Sequence, residues 1–455
     1  MHFSLIRAFG YFIGGLWTAW GGRKRIEAKQ LSRLRRLVQK ARQDSPLFKE
    51  LYSGLPESDR IKLHDLPATS KSDLMGDFDR WLTDRELTLA RAREHMSDMK
   101  NLGVPIGQYA VFRTSGTSGE PAVIVLSSSV LEFIFGIFLA RLSRRQLIVE
   151  RKIRKTGAAI VITGGNGHFA GVGFNKLLQN VAPHLARRST FIAAELPIER
   201  VVKQLNEIPN VASIITYPSM LAILTKEKVA NRLTIEPKFI KVAGETFTPE
   251  LRLRVRRAFP SLEWDIIDGY GCTECLCLAF ECDYGRQHVP EDWVILEAVD
   301  KNMQPVPNGS LSETALLTVL ANDVQPFIRY DIGDRLRFYS DPCSCGSPFR
   351  SFQVEGRQAT LIHVGDVTLS PLVFDLEHER AQRTQLVQLA EKVFEVRAEL
   401  TNPEDSDTVF DQIIRSVRKV FEENGVPKVE IRGSTAPPQL TASGKFHVIL
   451  PLKKN

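Results

Sequence analysis

Trp264-Asp-Ile-Ile-Asp-Gly-Tyr-Gly-Cys-Thr-Glu274 is an apolar run that ends in a glycine-spaced turn carrying a hydroxyl and a carboxylate. A short, partly β-branched run bounded by glycine reads as a strand entering a turn. The theme recurs upstream. Lys241-Val-Ala-Gly-Glu245 repeats it, and Ala158–Ile162 and Val211–Ile215 are strand-like runs with helical patterns after them. Strands alternating with helices predict a mostly parallel α/β core. Residues 109–126 read as strand, glycine-rich loop, strand. From about 290 to 340 helical patterns thin out and β-rich runs take over, at Trp293–Val299, Thr314–Val319 and Pro326–Tyr330. After Gly356-Arg357 the pattern changes to a strand at Phe394–Leu400, an amphipathic helix at Val409–Asn424 and a strand at Lys428–Arg432.

The expected organisation is a large α/β unit with several sheets, residues 1–355, and a small mobile α+β unit, residues 356–455, joined by a hinge near 356. The larger unit has a helical lead-in, 1–103, and a β-rich part at about 280–350. A chain of 455 residues is long enough for about two to three domains. Its 43% hydrophobic and 25% charged residues are those of an ordinary globular protein. The net charge of +7 is uneven: residues 1–50 hold eleven Lys/Arg against three Asp/Glu, leaving −1 for the rest. That balance, with no aromatic–basic interleaving, speaks against a nucleic-acid partner.

Ala8–Trp20 is an uncharged run of thirteen residues. It is short of the roughly 17–25 needed to span a bilayer, and Trp20-Gly-Gly followed by Arg-Lys-Arg offers no signal-peptide cleavage site. The expectation is a helix packed on its own domain. The alternative is weak membrane-surface contact through residues 1–43, with Arg23–Arg25 on anionic lipid. Leu31, Leu34, Leu37, Val38 and Ala41 follow at helical spacing up to Ser45-Pro46.

All six cysteines fall between residues 272 and 345. They are too few and too clustered for a disulfide framework; with no secretory signal they fit a reduced, cytoplasmic setting and a metal site. Cys282 and His288, with Cys343 and Cys345, form a tetrahedral donor set suited to structural zinc. Cys272, Cys275 and Cys277 are rival ligands, and the alternative to both is buried, unliganded thiols.

Thr114-Ser115-Gly116-Thr117-Ser118-Gly119-Glu120-Pro121 combines hydroxyls with glycines, which lets successive N–H groups turn towards one anion. It lacks the Gly-Lys-Ser/Thr of a Walker loop. In the 264–274 stretch, Tyr270 is placed to stack on a base, Thr273 to donate to a phosphate and Glu274 to hold magnesium. Asp334, after Gly333, suits two ribose hydroxyls, or is simply a turn aspartate. His168, in Gly164-Gly-Asn-Gly-His-Phe-Ala-Gly171, is a candidate lining residue of an acyl pocket.

Taken in order, these segments resemble the adenylate-forming superfamily of acyl- and aryl-CoA ligases, and within it the phenylacetate–CoA ligase-like branch. The resemblance runs from about residue 30 to the C-terminus. It rests on Ser45-Pro-Leu-Phe48, the 114–121 loop, Tyr217-Pro-Ser219, Gly244-Glu245, Tyr270-Gly-Cys-Thr-Glu274, Arg329-Tyr-Asp-Ile-Gly-Asp334, Gly356-Arg357 and Ser443-Gly-Lys445. It implies that the 114–121 loop closes on the ATP phosphates and that Gly244, Glu245, Asp268, Tyr270 and Gly271 line the nucleotide. Thr273 would contact the α-phosphate, Glu274 bind Mg²⁺, Asp334 hold the ribose and Arg357 stand beside the hinge. Tyr217 and Ser219 fall on the acid side, and Lys445 would stabilise charge as the carboxylate attacks phosphorus. The branch carries a similar Cys/His and Cys-x-Cys pattern.

Two positions depart from the family. The loop has Glu120 where lysine is common, and Gln358-Ala-Thr360 stands where a pair of aspartates is usual. The implied activity is ATP-dependent activation of a carboxylic acid, aryl in this branch, to acyl-AMP, then transfer to CoA or to the phosphopantetheine of an acyl carrier protein. The alternatives are a relative that passes AMP or the acyl group to a hydroxyl or amine, and a non-catalytic nucleotide-binding relative. A homodimer is compatible with the chain, and nothing in the sequence selects an oligomeric state.

Overall fold

The computed structural model describes the chain except residues 115–120, 144–145, 149–150, 152–156, 166, 184–188, 264–265, 375, 377, 427, 442–443 and 453–455. Two helices open it, α1 (Leu5–Trp20) and α2 (Gly22–Asp44), followed by four short ones: α3 (Pro46–Leu51), α4 (Lys71–Gly76), α5 (Phe78–Trp81) and α6 (Leu89–Ser97). Ser45 ends α2 and caps α3, its Oγ accepting from Phe48 N, with Pro46 at the first helical position. In α2, Ile26, Leu34, Leu37, Val38 and Ala41 are buried, whereas Leu31, expected in the same stripe, is exposed. Among the described residues no helix is long and apolar enough to cross a membrane.

Strands β1 (Tyr109–Arg113) and β2 (Val123–Ser127) form the expected hairpin and lead into helix α7 (Ser128–Arg141). The expectation that α1 packs on its own domain holds for one face. Ala8, Gly15 and Thr18 are buried, and a Cβ on Gly136 of α7 would lie 2.3 Å from the Ala8 carbonyl.

The central sheet is parallel and five-stranded: β3 (Ala158–Thr163), β4 (Ser189–Ala193), β5 (Val211–Thr216), β6 (Phe239–Ala243) and β7 (Ile267–Gly269), in the order β4-β3-β5-β6-β7. Ile160, Ile214, Ile240 and Val242 are buried in it with Leu221 and Val255 from the crossover helices Pro218–Val229 and Pro249–Ala258. The chain runs outward from β3 to β4 and then crosses to β5. The loops after β3 and β5 therefore diverge and leave a crevice at the strands' carboxyl ends.

Two antiparallel sheets follow. One joins β10 (Val294–Val299), β11 (Thr314–Val319) and β12 (Tyr330–Asp331). The other joins β8 (Phe280–Glu281), β9 (Gln287–His288), β13 (Asp334–Phe338) and β14 (Ser351–Arg357) in the order β13-β14-β9-β8. The run Pro326–Tyr330, expected as a strand, is extended only from Tyr330: Arg329 has φ +46°, which strand pairing does not tolerate.

Beyond the one-turn helix Gln358–Thr360 and the hairpin of β15 (Ile362–Val364) and β16 (Val367–Leu369), a separate hydrophobic cluster draws on residues 362–449. Its sheet holds β17 (Ala381–Ala390), β18 (Val393–Leu400), β19 (Glu430–Ser434) and β20 (Ile449–Leu450). The helix Ser406–Glu423 buries Val409, Ile413, Val417 and Phe421, every fourth residue, with the Phe421 ring centroid 4.6 Å from that of Phe394.

Candidate active site

The carboxyl ends of β3, β5, β6 and β7 gather most of the residues singled out in the sequence. Tyr217 follows β5, and its hydroxyl accepts from Gly164 N, after β3, at 3.3 Å. Gly244 and Glu245 follow β6. Glu245 is a half-buried junction: its carboxylate accepts from Ser219 N at 2.9 Å and from Phe446 N at 2.7 Å. Burial pushes its pKa up, and those two N–H groups with Lys445 pull it back.

Residues 444–446 thus reach the crevice from the C-terminal part of the chain. Gly444 adopts φ +73°, and a Cβ there would lie 3.1 Å from Gly164 Cα. Gly165 N donates to both oxygens of Glu195, at 2.9 and 3.0 Å, so Glu195 braces the turn against which Gly444 packs. Lys445 Nζ is 6.0 Å from the Tyr217 ring centroid. Gly244 has φ +88°, and a Cβ on it would stand 3.0 Å from Lys445 Cε and 3.1 Å from Nζ. Two needs, left-handed backbone and room for the lysine, fall on one glycine. Burial lowers the Lys445 pKa; Arg357 lowers it further, and Glu245 and Asp334 oppose this.

Asp334 and Arg357 are register partners across β13 and β14, with Arg357 Nε donating to Asp334 Oδ1 at 2.8 Å. Tyr270 OH donates to Asp334 Oδ2 at 2.5 Å. Burial, and then the Asp334 charge, push the Tyr270 phenol well above its ordinary range. Thr273 and Glu274 form the tip of a turn closed by paired backbone bonds between Cys272 and Cys275, 3.1 and 3.3 Å. Tyr330 OH donates to Glu274 Oε1 at 3.3 Å. Gly271, just before that turn, is exposed.

Asp268 is the middle residue of β7. Its N–H donates to Glu281 Oε2 at 2.7 Å, and Arg252 pairs with Glu281 Oε1 at 2.9 Å. Burial and then the Glu281 charge raise the Asp268 pKa to about 7, against Arg252 and Lys241. The native protein therefore keeps a proton here that the unfolded chain releases from about pH 4 upward. This group's contribution to stability is full below pH 4 and lost as pH rises through 7. Asp268→Asn should accordingly shrink the fall in melting temperature between pH 5 and pH 8; an unchanged fall would place the titration elsewhere.

Other expected residues are placed apart. His168 is buried, with Nε2 3.2 Å from the Asp98 carbonyl and its own carbonyl accepting from Arg113 N at 2.8 Å. Burial lowers its pKa. These partners are not members of the Lys445 group. In the glycine-rich loop, Thr114 closes the base, its Oγ1 accepting from Ala122 N at 2.9 Å. Ser115, Gly116, Thr117, Ser118 and Gly119 lie outside the described residues, as does Ser443.

Cys282, His288, Cys343 and Cys345 come together, with one donor atom from each all within 4.8 Å of one another. Cys282 Sγ is 3.7 Å from Cys343 Sγ, and Cys345 Sγ is 3.4 Å from His288 Nε2. Those are the edge lengths of a tetrahedron with metal–donor bonds of about 2.0–2.3 Å. His288 Nδ1 lies 2.9 Å from the Phe349 carbonyl, the outer contact that fixes a metal-binding tautomer. The donor set fits zinc with no position left open. The rivals are not part of this donor group: Cys272 is half-buried, Cys275 and Cys277 are buried, and Cys277 Sγ contacts the Ile134 carbonyl at 3.5 Å.

No protein-family model matches the sequence, and no curated protein matches it. Solved structures do. 2-Hydroxyisobutyryl-CoA ligase in its postadenylation state superposes with a TM-score of 0.63 at 17% identity, over 94% of this chain and 90% of that one. The same ligase in its thioesterification state gives 0.52 at 16% identity, over 94% and 90%. Anthranilate-CoA ligase bound to anthranoyl-AMP gives 0.50 at 17% identity, over 74% and 64%. The chain therefore has the fold of the adenylate-forming acyl- and aryl-CoA ligases.

Proposed function

We propose that the protein activates a carboxylic acid with ATP and passes the acyl group to a thiol. In the first step a carboxylate oxygen bonds to the α-phosphorus and the bond to the β-phosphate oxygen breaks, releasing pyrophosphate. The observation that carries this reading is the delivery of Lys445 into the crevice, beside Gly244, Tyr217 and the Asp334–Arg357–Tyr270 group. A cation held there stabilises the negative charge that builds on phosphorus and the attacking oxygen. Asp334, already placed between a phenol and a guanidinium, takes the ribose hydroxyls. Thr273 and Glu274, at the tip of a closed turn, face the phosphates. Glu274 is the residue suited to Mg²⁺, which supplies charge neutralisation to the polyphosphate when bound.

The acid is taken as aryl on the branch resemblance alone, with Tyr217, Ser219 and His168 as proposed acid-side residues. CoA or a carrier-protein phosphopantetheine is the proposed acceptor. A pyrophosphate-exchange screen across aryl and aliphatic acids tests the first half-reaction. Incubation of the best acid with CoA and with a carrier protein tests the second. No exchange with any acid would leave a nucleotide-binding protein without this chemistry. Exchange without thiol consumption would favour transfer to a hydroxyl or amine.

The proposed division at residue 356 makes a further prediction. One site must present Lys445 to phosphorus and then withdraw it so that a thiol can reach the acyl carbon, which rotation of the residues beyond Arg357 as one body accomplishes. The higher superposition score with the postadenylation state than with the thioesterification state of one ligase supports an arrangement that precedes thiol transfer here. Spin labels on the exposed Val229 and Leu389 should report different distances with ATP plus acid and with adenylate plus CoA. One distance in every state would rule out domain alternation. Arg357→Pro is unsuitable for locking this motion, because Arg357 is a strand residue paired to Asp334.

A further inference from the structure

Helix α1 is built inside out. Its buried residues are small, Ala8, Gly15 and Thr18, and the helix it meets, α7, offers Gly136 at the closest approach. Six of its large apolar side chains face away: Leu5 is 56% exposed, Ile6 85%, Phe9 62%, Ile13 47%, Trp17 57% and Trp20 84%. Their spacing of three or four residues from Ile6 onward puts them on one continuous stripe. A helix kept only for packing would bury its largest apolar side chains and expose its smallest. Here Tyr11 packs on Phe133 and Trp293, but most of the large apolar side chains are exposed, and so large an exposed apolar face marks an interaction surface.

Charge identifies the occupant. Glu27 is the sole acidic residue among the first thirty, against Arg7, Arg23, Lys24, Arg25 and Lys29. Arg23 is committed to Glu27 and the buried Glu291, so it adds little. Arg25 lies with its guanidinium 4.3 Å over the Trp17 ring and donates to the Trp17 carbonyl at 3.0 Å. That arrangement places a cation beside an indole at one end of the stripe, as at a lipid headgroup boundary. Lys24 and Lys29 are exposed at the same end, and Arg7 at the other. Pairing two copies of α1 would bring basic groups together in either orientation, whereas an anionic surface neutralises both ends. Sixteen residues span about 24 Å, so the helix lies along a bilayer and does not cross it.

We propose that α1 docks the protein on an anionic membrane surface, with Ile6, Phe9, Ile13, Trp17 and Trp20 at the headgroup–acyl boundary and Lys24, Arg25 and Lys29 against lipid phosphates. This inference is independent of the ligase reading. The full chain is to be sedimented with vesicles of phosphatidylcholine alone and of phosphatidylcholine mixed with phosphatidylglycerol. Binding should favour the anionic vesicles and weaken with salt. The exposed triple variant Ile6→Ser/Phe9→Ser/Trp20→Ser should reduce it on the order of 100-fold. Leu253→Ser, at an exposed apolar residue on another helix, should bind as the parent does. Melting temperatures of both variants show that the fold is kept. No binding to anionic vesicles, or equal loss in Leu253→Ser, would overturn the proposal. So would a parent dimer that the triple variant abolishes in the absence of vesicle binding, which would assign the stripe to a second copy of the chain.

Discussion

Lys445→Ala should lower kcat for adenylation by about 10²–10³-fold while leaving ATP affinity within a few-fold of the parent. The magnitude is that of removing one preorganised charge-stabilising donor from a water-poor site. Affinity is spared because nucleotide recognition is proposed to rest on the Asp334–Arg357–Tyr270 group, in which Asp334 accepts from both the phenol and the guanidinium. The ammonium stands in a cost already met by the fold, since burial and Arg357 disfavour its charge while Glu245 and Asp334 favour it. Loss realised chiefly in the transition state appears in kcat more than in KM. Pyrophosphate exchange with saturating acid, beside ATP titration by calorimetry, checks both halves. Near-parental exchange would remove Lys445 from the mechanism, and lost ATP binding would make it a ground-state anchor.

Cys343→Ser should lose bound metal and stability together. Metal analysis of the chelator-washed parent should find about one zinc per chain, because three thiolates and an imidazole form a closed set. Binding to the native state alone stabilises it by linkage, so losing a ligand should lower the melting temperature by roughly 10 °C. Cys277→Ser, at a buried thiol outside the set, should keep the metal. A metal-free parent whose melting is unaffected by Cys343→Ser would show four ordinary side chains.

What the sequence disclosed, it disclosed through local pattern. The runs around Ala158, Val211 and Lys241 carry β-branched residues into glycine or proline, and each became a strand of the parallel sheet. Strand β4, Ser189–Ala193, went unread because only Ile192 of it is buried, so its residues carry no apolar alternation. Helix α7 was hidden by a composition apolar on nearly every side, whose polar residues, Glu132 among them, form no separate face to betray its period. The four metal-set residues were legible because cysteine is scarce in this chain. Tyr270, Asp334 and Arg357 were legible as motif residues, but the bonds joining them were not. Glu195, Arg252 and Glu281 gave no signal at all: each is an ordinary charged residue whose partner is brought to it by folding alone, over 30, 29 and 13 residues in turn. The inside-out character of α1 was equally invisible, since composition reports that a run is apolar and not which way its large side chains point.

The two ends of strands β13 and β14 remain to be connected. At one end Asp334 faces Arg357; at the other the chain runs out through Phe338 and returns at Ser351, and that return carries Cys343 and Cys345. Five residues of strand span about 17 Å, short enough for one rigid ladder to feel both. The donor set and the Asp334–Arg357 pair are therefore two loads on the same beam. If metal at one end holds the pair in register at the other, reciprocity follows from thermodynamics: whatever factor metal adds to nucleotide affinity, nucleotide must add to metal affinity. Saturating ATP should then slow the escape of zinc to a chelator, turning a structural ion into a reporter of site occupancy.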